Sequence, residues 1–363
     1  MLLGDLGADV IKVEGPLGDD TRTWQPPVHN GVSTYYLGVN RNKRSVILDL
    51  NEPQDQELAR ELISRCDVMI QNFRPGSLAR FALDYDSARK LNPEIIYASI
   101  TGFGADQGAA IPGYDLMVQA ISGLMSLTGD PQGPPYRAGV AVFDVIAGLH
   151  SALGIVAALT ARMAGSGGQH IEINLLSSAL SGLVNQASAY VAGGTVPFRM
   201  GNSHPSLSPY EALPTADGDL VIACGNDGQF RKLCQVIGAP EIAADQRFTR
   251  NEDRTVNREA LRPLLVQKLL ERSKQDWFKD LITAGVPCGP INTIDQGIAF
   301  AEELGLDPVQ TFTEGEDLIN TIRNPIKFSQ TPVQYRLAPP TLGEHDDEIR
   351  SWLIGARDVL PRT

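Results

Sequence analysis

Residues 45–70 read SVILDLNEPQDQELARELISRCDVMI, and this stretch decides the class of the fold. Residues 45–50 form a short apolar run of the kind that makes a strand buried on both faces. Pro53–Arg65 then reads as a helix, with proline in the first turn, where its missing N–H would have had no partner. Residues 67–70 (DVMI) are a second apolar strand. Strands separated by a helix of this length imply a βαβ unit and a parallel sheet. Upstream, residues 1–6 read as the end of an amphipathic helix, Gly7 as its left-handed cap and residues 9–14 as a strand. Downstream, a polar helix at about 84–91 leads into a third apolar strand, residues 95–100 (IIYASI).

From residue 115 to 163 the pattern is helical and apolar, interrupted by the turn-rich stretch 129–139. Gln169–Asn174 alternates like a strand and runs into one apolar helix over 175–190. Residues 191–209 are rich in Gly, Pro, Ser and Asn and read as a loop. A second α/β pattern follows, with a strand at 220–223 and helices near 228–237, 258–270 and 274–284. The chain is longer than one hydrophobic core usually serves. The expected partition is a large domain over 1–205, a small α/β domain over 206–316 and a return of 317–363 onto the large domain.

Of the 363 residues, 42% are hydrophobic and 20% charged, the balance of an ordinary globular protein. The formal net charge of −12, from 43 acidic and 31 basic residues, makes nucleic acid and anionic membrane poor partners. A pocket for an anionic small molecule is still compatible with it. No apolar run reaches the ~20 uncharged residues of a membrane span. Residues 149–159 come nearest and fit a buried helix. The N-terminus shows no signal or transit pattern. Cys66, Cys224, Cys234 and Cys288 are widely spaced and read as reduced thiols of a cytoplasmic protein. The five histidines form no zinc motif, and no metal is expected.

Several short constellations could carry chemistry. Gly102, Gly104 and Gly108 follow a strand, but their GxGxxxG spacing lacks the strand–helix context of a dinucleotide loop, so an ordinary loop is expected. Asp144 is a lone carboxylate in RAGVAVFDVIAGLHSALGIVAAL. It suits a helix N-cap, and equally a nucleophile kept ionised by helix-end N–H groups. Asp115, in GYD, is a plausible cap for its own helix. Asn72 and Phe73 sit just past a strand end, with Arg80 beyond, where ligands bind in open α/β sheets. Phenylalanine could cover an adenine there and Arg80 could meet a phosphate. The basic run from Asn40 to Arg44 reads as solvated surface that also suits a phosphate.

In order along the chain stand GDLGADVIKVE, GDDTRTW, STYYLGVNRNKRS, QNFRPG, ITGFG, GYD, GVAVFD, NPIKFS and LGEH. Together they resemble the family III CoA-transferases, which include formyl-CoA:oxalate, carnitine and succinyl-CoA:glutarate enzymes. The resemblance covers residues 1 to about 349. GDDTRTW, STYYL and NLLSS look closest to the succinyl-CoA:glutarate branch.

The resemblance implies an α/β fold with a Rossmann-like large domain, a smaller α/β domain and an interlocked homodimer. It implies that Asp144 is the nucleophile that carries the acyl group and then CoA. It implies that Leu48, Asn72, Phe73, Arg80 and Tyr114 bind CoA, and it makes Gly201, Asn202 and His204 candidates for holding the acid. An acyl-CoA and a small carboxylic acid are the expected partners; CoA is a substrate, and no cofactor or metal is implied. Succinyl-CoA as donor and a dicarboxylate acceptor are the expected pair, in the cytoplasm, with a mitochondrial location open.

Two alternatives remain. The α-methylacyl-CoA racemases share this pattern but carry histidine in a GHD motif where Tyr114 stands, and racemisation needs a second proton-transfer group. Members of the family also usually begin some two dozen residues earlier, and many carry arginine at the position of Gly15. A CoA-binding protein with little activity is the third expectation.

Overall fold

The computed structural model describes residues 1–355 and Leu360. By contacts the chain divides into two compact units: Met1–Val118 with Ala141–Gly182 and Ala301–Thr363, and Gln119–Val140 with Leu183–Phe300. These lines run elsewhere than the expected partition at residues 205 and 316. Part of the expected C-terminal return, residues 356–359 and 361–363, lies outside the described residues.

The first unit is built on parallel strands. Val10–Glu14 pairs in parallel with Lys43–Ile47, Val10 lying opposite Lys43 and Glu14 opposite Ile47. A second parallel sheet has the order Val68–Gln71, Ile96–Thr101, Gln169–Asn174. The helix Pro53–Arg65 keeps its expected bounds and bridges the two sheets in sequence. Its inward residues Ala59 and Ile63 join Val46, Leu48, Ile95 and Tyr97 in one core, which Ile349 and Leu353 of the helix Asp346–Leu353 complete. Both ends of the chain therefore contribute to one unit, because a strand buried on two faces needs apolar cover from each.

The second unit holds an antiparallel sheet, in which Gly218–Ala223 runs between Tyr210–Thr215 and Cys288–Pro290. Helices Asp227–Val236, Arg258–Leu269 and Lys274–Thr283 cover it through Phe230, Leu233, Leu261, Leu265, Trp277 and Leu281. The single helix expected over 175–190 is two, Leu175–Gly182 and Val184–Val191. The break coincides with Val184, whose φ of 33° a β-branched residue adopts only under constraint.

The helix Val142–Ala161 continues through a π-helical turn, Arg162–Ser166. By length and composition the segment Val142–Ser166 could cross a membrane, which the shorter apolar run in the sequence did not indicate. It packs against strands Ile96–Thr101 and Gln169–Asn174 and against the helix Leu175–Gly182. Phe143, Ala147, Ser151, Ile155 and Ala158 face inward, while Val145, Leu149, Leu153 and Val156 form an exposed apolar stripe. The buried helix expected at residues 149–159 is thus buried along one face only.

The basic run is also not what its composition suggested. Arg41 and Arg44 are among the most buried side chains of the molecule. Arg41 binds Asp5 through two parallel hydrogen bonds of 2.7 and 3.0 Å, and donates to Thr321 Oγ1 and the Ile322 carbonyl. Asn42 and Asn324 also donate to the Asp5 carboxylate. Arg44 pairs with Asp9 and Glu348. The run ties the first helix to the C-terminal segments and leaves neither guanidinium for a phosphate.

Breaking a buried pair strands its partner's charge, at a cost of about 3–5 kcal/mol. Arg41→Met should therefore lower the thermal unfolding midpoint by several degrees. Arg247→Ala, which removes an exposed pair with Asp245, should leave it almost unmoved. Parallel thermal melts followed by circular dichroism check the contrast.

Candidate active site

Ligands of open parallel sheets collect beyond the carboxyl ends of the strands. In the first unit three segments leave that edge: residues 72–74 after Val68–Gln71, residues 102–114 after Ile96–Thr101, and the helix Leu175–Gly182 after Gln169–Asn174. The Leu176 N–H donates to the Gly102 carbonyl, and Arg74 reaches the Ala110 carbonyl, so the three are tied together.

The loop 102–114 opens no helix at Gly108, consistent with an ordinary loop. Its glycines answer to packing. A Cβ on Gly102 would stand 2.5 Å from the Cα of Gly113, and one on Gly113 would stand 2.4 Å from the Cα of Gly102. The backbone crosses itself there, and only glycine at both positions allows it. The crossing delivers Tyr114 and Asp115 to the sheet edge.

Asp115 is the first residue of the helix Asp115–Ile121, and its carboxylate also reaches a second helix. Its Oδ1 accepts the backbone N–H groups of Phe143, at 2.8 Å, and Asp144, at 3.3 Å, and so caps the helix Val142–Ala161 across 28 residues of sequence. The N-cap position of that helix is Ala141, and Asp144 lies inside the first turn. The cap role open to Asp144 is therefore taken by Asp115. The expectation that helix-end N–H groups hold the Asp144 carboxylate in its ionised form fails for the same reason.

The electrostatics follow. Burial by surrounding atoms, with the Asp115 charge adding to it, pushes the Asp144 carboxyl up to about 6. The side chain still meets solvent. Such a carboxylate is ionised at neutral pH and more basic than an ordinary one, which raises its nucleophilicity. The Tyr35 phenol is pushed up by burial and by the charges of Asp144 and Asp115, so it stays a neutral hydrogen-bond donor.

Tyr35 packs edge-on against Trp24, ring centroids 5.1 Å apart. Together with Gln25, Pro26, Pro27 and Thr34 they line an open cleft of about 490 Å³. Reading the sequence missed Trp24 and Tyr35 as site residues, although both stand in quoted motifs, GDDTRTW and STYYL. Nothing local marks them, because only the fold brings Tyr35 under the influence of the two carboxylate charges.

The other expected residues divide clearly. Asn72 and Arg80 are exposed, Phe73 is 54% exposed and Tyr114 is 67% exposed, all in the first unit. Arg80 lies over the Phe81 ring with 4.4 Å between guanidinium carbon and ring centre. Leu48 has its side chain sealed in the core, so it can meet a ligand through its backbone alone. Gly201, Asn202 and His204 belong to the second unit. There the Gly201 N–H donates to the Gly129 carbonyl, and His204 accepts from the Ser206 N–H beside the Tyr210 ring.

Burial pushes the Cys224 and Cys234 thiols up to about 12, and Cys66 and Cys288 up to about 11. None supplies a thiolate nucleophile at neutral pH. Among the described residues no group of three or more His, Cys, Asp or Glu side chains gathers as a metal site requires.

Comparison with known proteins converges on one family. The family model described as CoA-transferase family III matches residues 1–346. The chain is 44% identical to the succinate–glutarate CoA-transferase of Agrobacterium fabrum, over 96% of this chain and 89% of that protein. It is 38% identical to the human succinyl-CoA:glutarate CoA-transferase, over 96% and 80%. A crystal structure of a CAIB/BAIF family protein from Brucella suis superposes with a TM-score of 0.86 at 42% identity, covering 97% of this chain and 93% of that one. The chain belongs to CoA-transferase family III and is a CoA-transferase of mixed α/β fold with parallel sheets.

Proposed function

We propose that the protein moves CoA from succinyl-CoA to a small dicarboxylic acid such as glutarate, through covalent intermediates on Asp144. The observation that carries this reading is the Asp144 carboxylate itself: pushed up by burial and by the Asp115 charge, in the first turn of a helix whose N–H groups Asp115 takes. The names of the relatives support the substrate class.

In the proposed reaction an Asp144 oxygen attacks the thioester carbonyl of the donor. The C–S bond breaks, giving a mixed anhydride and a CoA thiolate. The thiolate attacks the Asp144 carbonyl of the anhydride, forming an aspartyl-CoA thioester and releasing the donor as its carboxylate. The acceptor carboxylate then attacks that thioester and expels the thiolate. Attack of the thiolate on the acceptor carbonyl yields the new acyl-CoA and restores Asp144. No proton or water is consumed, so the thioester energy is retained.

Desolvation serves each attack by weakening the hydration of the carboxylate nucleophile. The Tyr35 hydroxyl is suited to donate to the oxyanion formed at the attacked carbonyl. The exposed Phe73 and Arg80 offer a face for adenine and a charge for phosphate, with Asn72 and Tyr114 along the same edge. The cleft at Trp24 and Tyr35 supplies apolar walls for the methylenes of a short acid. Gly201, Asn202 and His204 are proposed as further contacts to the acid. CoA acts as substrate, and no cofactor or metal takes part.

The exposed stripe of Val145, Leu149, Leu153 and Val156 supports a homodimer, since a lengthwise apolar stripe on a helix is covered by a partner surface. An interlocked arrangement, in the cytoplasm, completes the proposal.

Incubation with succinyl-CoA and a panel of acids, read by mass spectrometry, should yield glutaryl-CoA with the parent chain. With Asp144→Ala the rate should fall by at least about a thousandfold. A panel in which only monocarboxylates accept CoA would overturn the dicarboxylate reading, and α-proton exchange without transfer would indicate racemase chemistry.

Because the raised carboxyl must be ionised to attack, kcat/KM should be level above pH 7. It should fall about tenfold per unit as the pH drops below the Asp144 value of about 6. Asp115→Asn removes the neighbouring charge while keeping an acceptor for the Phe143 N–H, and should move that inflection to lower pH. An unmoved inflection would assign the titration elsewhere.

Light scattering should give twice the chain mass for the parent protein. Leu153→Asp, which places a charge in the middle of the stripe, should shift it towards one chain mass.

A further inference from the structure

A polar chain crosses the three parallel strands of the sheet in the first unit. The Phe73 N–H donates to Gln71 Oε1 at 2.8 Å. Gln71 Nε2 donates to Ser99 Oγ at 2.8 Å, and Ser99 Oγ lies 2.8 Å from His170 Nε2. Gln71, Ser99 and His170 come from neighbouring strands, where Gln71 lies opposite Ser99, and Tyr97, two residues before Ser99, lies opposite His170. Partners in a parallel ladder point to the same face, so the register alone lines these side chains up.

The orientation of each bond is determined from the Phe73 end. Because the Phe73 N–H needs an acceptor, the Gln71 amide must turn its oxygen to Phe73 and its NH2 to Ser99. Ser99 is then free to donate to an unprotonated Nε2 of His170. The far end is held by aromatic packing: the His170 ring stacks on Tyr85 at 4.8 Å and 19° and meets the edge of Tyr97 at 5.4 Å. Tyr97 in turn donates to the Leu83 carbonyl from within the core. The exposed turn carrying Phe73 is thereby referred, bond by bond, to rigid core.

We propose that this chain makes Gln71 a positioning residue for the nucleotide end of the CoA thioester, with Ser99 and His170 orienting its amide. The proposal rests on the reading of Phe73 as a CoA contact and adds what holds that contact in place. Gln71 touches no reacting atom; it presets the backbone at Phe73, so that the ring is ordered before CoA arrives. Preorganisation of this kind lowers the entropic cost of binding and leaves the chemical step alone.

The test is a split between KM and kcat with succinyl-CoA as the varied substrate, joined to calorimetric Kd values for free CoA. Gln71→Met keeps the length of the side chain and loses both hydrogen bonds. It should raise KM and Kd about fivefold to tenfold, the effect of about one lost hydrogen bond, with kcat within about twofold. Gln71→Glu still accepts the Phe73 N–H and can accept from Ser99, so it should stay within about twofold of the parent. Ser99→Ala, which frees the amide but keeps its oxygen available, should fall between the two, and serves if Gln71→Met does not fold. Unchanged KM and Kd in both Gln71→Met and Ser99→Ala, or equal losses in Gln71→Met and Gln71→Glu, would overturn the proposal. Phe73→Ala separates the two readings. If it leaves Kd for CoA unchanged, the assignment of Phe73 fails and the positioning role falls with it. If it weakens CoA while Gln71→Met does not, the positioning role alone is wrong.

Discussion

The hydrogen bonds from the Phe143 and Asp144 N–H groups to Asp115 are the constraint on which the site depends. A long apolar helix begins with unsatisfied donors, and one carboxylate from a remote segment satisfies two of them. That single contact fixes the start of the helix, and with it the place where the Asp144 side chain leaves the backbone. It also puts a second negative charge beside Asp144. The cap that orders the proposed nucleophile therefore also adds to the rise in its pKa that burial begins.

The cap depends in turn on a backbone crossing. Gly102 and Gly113 meet with no room for a side chain at either position, and Asp115 emerges two residues later. A carboxylate could not reach the end of the helix Val142–Ala161 if this loop ran a few ångströms further out. The buried pair of Asp5 and Arg41 plays the corresponding part for the unit as a whole, tying the first helix to the strand Asp317–Ile322. Fully desolvated pairs of this kind add little net stability over apolar packing, but they penalise every other arrangement of the segments they join.

Function draws on both kinds of order. Asp144 sits in the first turn of a long helix, whereas Phe73 and Tyr114 lie exposed on loops and Arg80 on a single 3-10 turn. The proposed covalent capture needs a nucleophile held in place, while a long flexible substrate is suited by exposed groups at the strand ends. The exposed stripe on the back of the same helix shows that one element serves the site at its first turn and presents an apolar surface along its length.

Much of this was legible in the order of residues. The stretch 45–70 settled the parallel α/β class, because apolar strands and an amphipathic helix carry different periods that no tertiary context need supply. Asp144 stood out as a lone carboxylate among small apolar residues, and the ordered motifs pointed to the family. Tertiary structure alone decided what each polar residue does. The run from Asn40 to Arg44 looks like solvated surface until Asp5, Asp9 and Glu348 arrive from distant segments to bury it. Asp115 looks like the cap of its own helix, and Trp24 and Tyr35 look like ordinary aromatics. Local sequence encodes backbone period and turn chemistry within a few residues, whereas a hydrogen bond or a shifted pKa depends on groups that only the folded chain brings within a few ångströms.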